Sequence, residues 1–168
     1  MCQTHDYFPQ AAARSGVDWT RLATASLLAE QAARPETPLL ELRLPGLPGI
    51  RLLLKDETAH PSGSLKHRLA RSLLLDALRS GRLRARQPVV DASSGSTAIA
   101  EAWFAQRLGL PFHAVMPCGT GIAKQAAVAE LGGHCMLVDD GVDTAAAART
   151  LARELDGCYL DQFGLAAN

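Results

Sequence analysis

Lys66 is the residue with the plainest chemical potential in this sequence. It stands near the end of the segment His60-Pro61-Ser62-Gly63-Ser64-Leu65-Lys66-His67-Arg68, where a loop of small residues runs into an apolar-periodic stretch. A lysine in the first turn of a helix, close to the positive end of the dipole and beside Arg68, has surroundings that disfavour a charged amine, which is what a nucleophilic lysine requires. Taken alone, the same placement also suits a solvated lysine at a helix start. The second chemical segment is Ser93-Ser94-Gly95-Ser96-Thr97-Ala98. Three serines and a threonine around Gly95 offer small hydroxyls and close backbone approach, suited to holding a carboxylate or phosphate.

Both segments need a strand before them and a helix after them, and the apolar patterning supplies these. Strands are expected over residues 50–55 and 88–92, the helix that opens near Leu65 ends near Gly81, and a helix with Ile99, Ala102, Trp103 and Ala105 runs to Gly109. The loops between strand and helix are where open α/β sheets collect ligands, because the first N–H groups of a helix lack intrahelical partners. Further along, strands over 112–116, 134–138 and 158–160 alternate with helices over 122–131 and 142–155. This alternation predicts an α/β fold, a parallel sheet flanked by helices. Ahead of it lie an amphipathic helix over 18–33, closed by Pro35, and strands over 37–44 and 50–55. The turn Pro45, Gly46, Pro48 and Gly49 makes these two a hairpin or neighbouring strands. The Gly119-Thr120-Gly121 stretch reads as a turn.

Composition narrows the possibilities. The 168 residues are 48% hydrophobic, enough for one packed core, and seventeen basic residues balance seventeen acidic ones. No overall field would attract nucleic acid or an anionic membrane, so the expected partner is a small molecule. No apolar run is long enough for a membrane span and the opening residues MCQTHDYFPQ lack a secretory pattern, so a cytoplasmic location is expected. Cys2, Cys118, Cys135 and Cys158 are scattered, and His5, His60, His67, His113 and His134 form no ligand pair, so no metal site is expected. His113 and His134 read as hydrogen-bonded histidines at strand ends. There is no G-x-G-x-x-G for a nucleotide and no G-x-S-x-G for a serine hydrolase.

Taken in order, the motifs resemble the pyridoxal-phosphate-dependent cysteine synthase and cystathionine beta-synthase family. The Lys66 segment resembles N-P-[AT]-G-S-[VF]-K-D-R, and residues 93–98 resemble T-S-G-N-T-G. Thr37-Pro38-Leu39, Val115-Met116-Pro117 and Tyr159-Leu160-Asp161-Gln162-Phe163 resemble the opening T-P-L, the strand after the loop and the later Q-Q-F element. The resemblance covers about residues 37–168, leaving 1–36 as an N-terminal helical extension. It implies a tryptophan synthase beta subunit-like fold (fold type II) that is incomplete at the C-terminus, with pyridoxal 5'-phosphate as cofactor and a homodimer in the complete enzyme. It also implies that Lys66 forms the cofactor imine and that Ser93, Ser94, Gly95, Ser96, Thr97 and Gln162 bind the substrate carboxylate. Ser96 stands where the family's Asn meets the cofactor ring oxygen.

Three departures shape the expected reaction. Ser96 is shorter than the Asn it replaces, His67 stands for the usual Asp, and Ala98 for the usual Gly. The wording S-L-K-H-R with S-S-G-S-T-A and Y-L-D-Q-F looks nearest to the L-cysteine desulfhydrase branch. That branch implies β-elimination of L-cysteine to pyruvate, ammonia and sulfide. A β-replacing synthase and a non-catalytic remnant are the alternatives, since the family's glycine-rich phosphate loop is expected beyond Gln162.

Overall fold

The computed structural model describes residues 16–47 and 49–165. Cys2, His5 and Pro48 lie outside the described residues. Helix α1 (Gly16–Ala32) is followed by strands β1 (Leu39–Arg43) and β2 (Arg51–Lys55), a single 3-10 turn at Glu57–Ala59 and helix α2 (Lys66–Arg79). Then come β3 (Val89–Ala92), α3 (Ser96–Leu108), β4 (Phe112–Pro117), α4 (Ile122–Glu130), β5 (His134–Val138), α5 (Thr144–Glu154), β6 (Cys158–Tyr159) and α6 (Gln162–Leu165).

Four strands form one parallel sheet in the order β5-β4-β3-β6. The sequence dictates this arrangement: each strand is short and apolar, and each is joined to the next by a helix long enough for a crossover. β3 is buried along its whole length. Val89 faces a core shared with Leu73, Leu74 and Leu78 of α2, Phe104 and Leu108 of α3, and Val128 of α4. Val90 and Ala92 face the opposite layer, where Ala148 and Ala152 of α5 cover the sheet. Gly109 closes α3 in the left-handed conformation (φ 67°), donating its N–H to the carbonyls of Ala105 and Gln106.

The hairpin reading of the early strands holds, since β1 and β2 pair antiparallel in a separate ribbon. Its leucines, including Leu39, Leu40, Leu53 and Leu54, are exposed. On α1 the buried stripe is Trp19, Ala23 and Leu27, whereas Leu22 and Leu28 face outward. Leu65, expected to open the α2 face, is exposed because it precedes the helix. Two further differences are local: β6 ends at Tyr159, and α6 is a four-residue helix without a periodic signal. The Gly119 region is a turn, as expected, closed by Thr120 N–H donating to Pro117 O at 2.9 Å. His113 and His134 sit opposite each other on β4 and β5 with rings stacked at 5.1 Å. They are thus paired by stacking.

Candidate active site

The lysine segment turns sharply before α2. Gly63 takes the left-handed conformation (φ 74°) and donates to His60 O at 2.7 Å, a geometry that favours glycine over any residue with a Cβ. Ser64 Oγ then accepts the Lys66 N–H at 3.3 Å, satisfying one of the unpaired donors at the helix start. Lys66 is half-buried, and its Nζ makes no hydrogen bond or ion pair among the described residues. The other two lysines are both exposed. Lys55 Nζ donates to Thr37 O at 3.2 Å, and Lys124 lies on the surface of α4. Arg68, expected to act beside Lys66, reaches away from it: its Nε donates to Glu57 Oε2 at 3.0 Å. Hydrogen bonds from Arg68 and Thr37 hold the Glu57 carboxyl at about 2.

The second segment follows β3. Ser93 Oγ accepts the N–H groups of Gly95 and Ala98, the latter at 3.1 Å, so this hydroxyl shapes the loop from within. The N–H groups of Ser94, Ser96 and Thr97 have no partner among the described residues, which leaves a set of donors at the start of α3. Ser96 is exposed, Thr97 is buried, and Ser94 and Gly95 lie between. Gln162 joins this group, because its Nε2 donates to the carbonyl of Ala92 at 2.7 Å, immediately before Ser93. Left-handed Asp161 (φ 58°) turns the chain from β6 into α6 and so brings Gln162 there. The loop and Gln162 are therefore neighbours, and α2 and α3, whose first turns carry Lys66 and the loop, pack side by side.

Reading the sequence missed the carboxyl pair beneath this loop. Asp91 of β3 and Glu101 of α3 are fully buried and point at each other. Among the described residues neither carboxyl has a partner in full hydrogen-bond geometry, although the backbone N–H groups of Ala92 and Gln162 lie close to Asp91, and the two carboxyls satisfy each other when one carries a proton. Burial pushes both upward; the Asp91 charge adds to the rise at Glu101, which makes Glu101 the donor and Asp91 the acceptor. A carboxyl raised in the folded state contributes stability at low pH that is lost as the pH climbs from its ordinary value through the raised one. Glu101→Gln, which keeps a donor and cannot ionise, should therefore flatten the decline. Urea unfolding at pH 5 and pH 8 should show the variant ahead by about 1–3 kcal/mol at the higher pH. A wild-type midpoint that does not fall between these values would contradict a shared proton.

Among the described residues no group of three or more His, Cys, Asp or Glu could hold a metal ion, and no helix is long and apolar enough to cross a membrane. Residues 31–168 match the protein family described as pyridoxal-phosphate dependent enzyme. Over 149 residues the chain is 47% identical to the L-cysteine desulfhydrase Cds1 of Mycobacterium tuberculosis, covering 86% of this chain and 40% of that protein. It is 37% identical to cysteine synthase B of Pseudomonas aeruginosa, covering 76% of this chain and 44% of the relative. The solved structure of O-ureido-L-serine synthase superposes with a TM-score of 0.71 at 30% identity, over 76% of this chain and 41% of that one. The chain thus spans less than half the length of each.

Proposed function

Because this chain belongs to the pyridoxal-phosphate dependent enzyme family, we propose that it supplies the lysine and the carboxylate-binding loop for removal of the thiol from L-cysteine, with pyruvate, ammonia and sulfide as products. The observation that carries the proposal is the state of Lys66: of three lysines it is the one that is half-buried with an uncommitted Nζ, and it opens a helix. An aldehyde cofactor needs such an amine, so the residues present fit it. Lys66 and Ser96 would hold the cofactor. When bound, the cofactor supplies an electron sink for the charge left when Cα loses its proton.

The remaining work falls to the protein's own groups. Lys66 Nζ takes the Cα proton, and the free N–H groups of Ser94, Ser96 and Thr97, together with the Thr97 hydroxyl, receive the amino-acid carboxylate. Gln162, held on Ala92 O, closes the loop from below and orients it. Loss of one charge-assisted hydrogen bond costs about 1.5–3 kcal/mol, so Thr97→Ala should raise KM for the amino acid roughly ten- to hundredfold with little change in cofactor loading. Loss of cofactor with unchanged KM would assign the loop to the wrong ligand.

The similarity to the M. tuberculosis desulfhydrase supports elimination over replacement. The test is to incubate the purified protein with pyridoxal phosphate and L-cysteine and to measure sulfide and pyruvate. Equal amounts of both support the proposal. A new thioether or cysteine formed from an activated serine and a thiol or sulfide, without pyruvate, would favour a synthase instead; neither product would count against an enzyme of this class.

A further inference from the structure

The family match begins at residue 31, yet Glu30, near the end of α1, reaches the turn that carries Lys66. Its Oε1 accepts from Nε2 of the fully buried His67 at 3.0 Å, and its Oε2 accepts from Arg71 Nη1 at 2.8 Å. Arg34 Nε adds a third donor at 2.6 Å. The other ring nitrogen of His67, Nδ1, lies 3.1 Å from Ser62 Oγ. A chain of contacts therefore runs from α1 through His67 to the loop that turns into Lys66.

We infer that Glu30 and His67 are positioning residues, through which α1 fixes the Ser62 to Lys66 turn and hence the placement of Lys66. The inference rests on the reading of Lys66 as the cofactor lysine. Burial pushes the Glu30 carboxyl up, but the hydrogen bonds from His67, Arg34 and Arg71 outweigh it and hold it at about 2. As a carboxylate it only accepts, so His67 presents Nε2–H to it, and Nδ1 is left facing the Ser62 hydroxyl at hydrogen-bond distance. The imidazole cannot turn away. It lies 4.9 Å from Trp103 and 4.6 Å from Phe104 of α3, and it stacks at 5.1 Å on His60. His60 in turn holds Glu57 Oε2 at 3.0 Å. Both ends of the turn are thereby tied to an ionised glutamate, one from α1 and one from the 3-10 turn. One imidazole thus serves both the His60 stack and the Glu30 bond, so His67 and Glu30 belong to one device.

Two measurements on the purified protein test this with Ser62→Ala, Ser62→Thr, His67→Gln and Glu30→Gln, each checked for native circular dichroism. The first is amide hydrogen exchange without cofactor. Ser62→Ala and His67→Gln should speed exchange in residues 62–68 roughly tenfold, leave residues 89–92 and 112–117 unchanged, and Ser62→Thr should restore protection. Glu30→Gln keeps an acceptor and should fall between. The second is the rate at which borohydride fixes pyridoxal phosphate to Lys66, which the same losses should slow roughly ten- to hundredfold, with Ser62→Thr again restoring it. Wild-type exchange in Ser62→Ala and His67→Gln would overturn the inference, as would capture at the wild-type rate from a loosened turn. If the exchange pattern appears but no protein captures the cofactor, the positioning role stands and the reading of Lys66 falls.

Discussion

Lys66→Ala should reduce sulfide release from cysteine to the background of free pyridoxal phosphate, a loss of roughly a thousandfold or more, as expected when the nucleophile of a catalytic unit is removed. The protein should remain folded, with stability within about 0.5 kcal/mol of wild type, because the Lys66 side chain makes no hydrogen bond or ion pair among the described residues. This combination separates function from fold: an uncommitted amine at a helix start contributes almost nothing to stability, so its removal is felt only in chemistry. Turnover measured beside urea unfolding checks both halves. Activity that survives would move the base to another residue, and a large stability loss would mean that Lys66 has a packing role.

Glu30→Ala should act the opposite way, through stability first. Glu30 is close to buried and satisfies buried Arg71 and the fully buried His67 at once. Removing one partner of a buried ion pair leaves the other charge uncompensated, at a cost of about 3–5 kcal/mol. For a chain of this size that lowers the melting temperature by roughly 10 °C. The exposed pairs offer a contrast. Breaking Arg51 from Glu41, both of which solvent reaches easily, should cost at most about 1 kcal/mol. A Glu30→Ala loss under about 1 kcal/mol would show that Arg71 and His67 find other partners, and would weaken the case that α1 is built into the site.

These expectations show what could be read in the sequence and what could not. The parallel sheet was legible because strand and helix periods alternate cleanly from Val89 onward. The placement of Lys66 and of residues 93–97 at helix starts was legible because small residues and unpaired helix starts are local features. Glu30 was not. It extends the buried stripe of Trp19, Ala23 and Leu27, where a charge looks out of place, and its partner His67 is 37 positions away. The sequence pattern had put exposed Leu22 and Leu28 on that stripe instead. Asp91 and Glu101 each resemble an ordinary polar position, and only the packing of α3 on β3 turns them into a buried pair. Arg68 was placed correctly along the chain but not in direction, because Glu57 competes for it. In each case the missing information is a tertiary partner, which neither spacing nor composition records.

The covalent assignment of the cofactor to Lys66 can be tested directly. Purified protein is mixed with pyridoxal phosphate, reduced with borohydride, digested and read by peptide mass spectrometry. The sequence has three lysines, so the outcome is unambiguous. The added mass should lie on the peptide containing Lys66 and be absent from those containing Lys55 and Lys124. Labelling spread evenly over the three, or confined to exposed Lys55 or Lys124, would contradict the assignment of Lys66 as the residue that holds the cofactor.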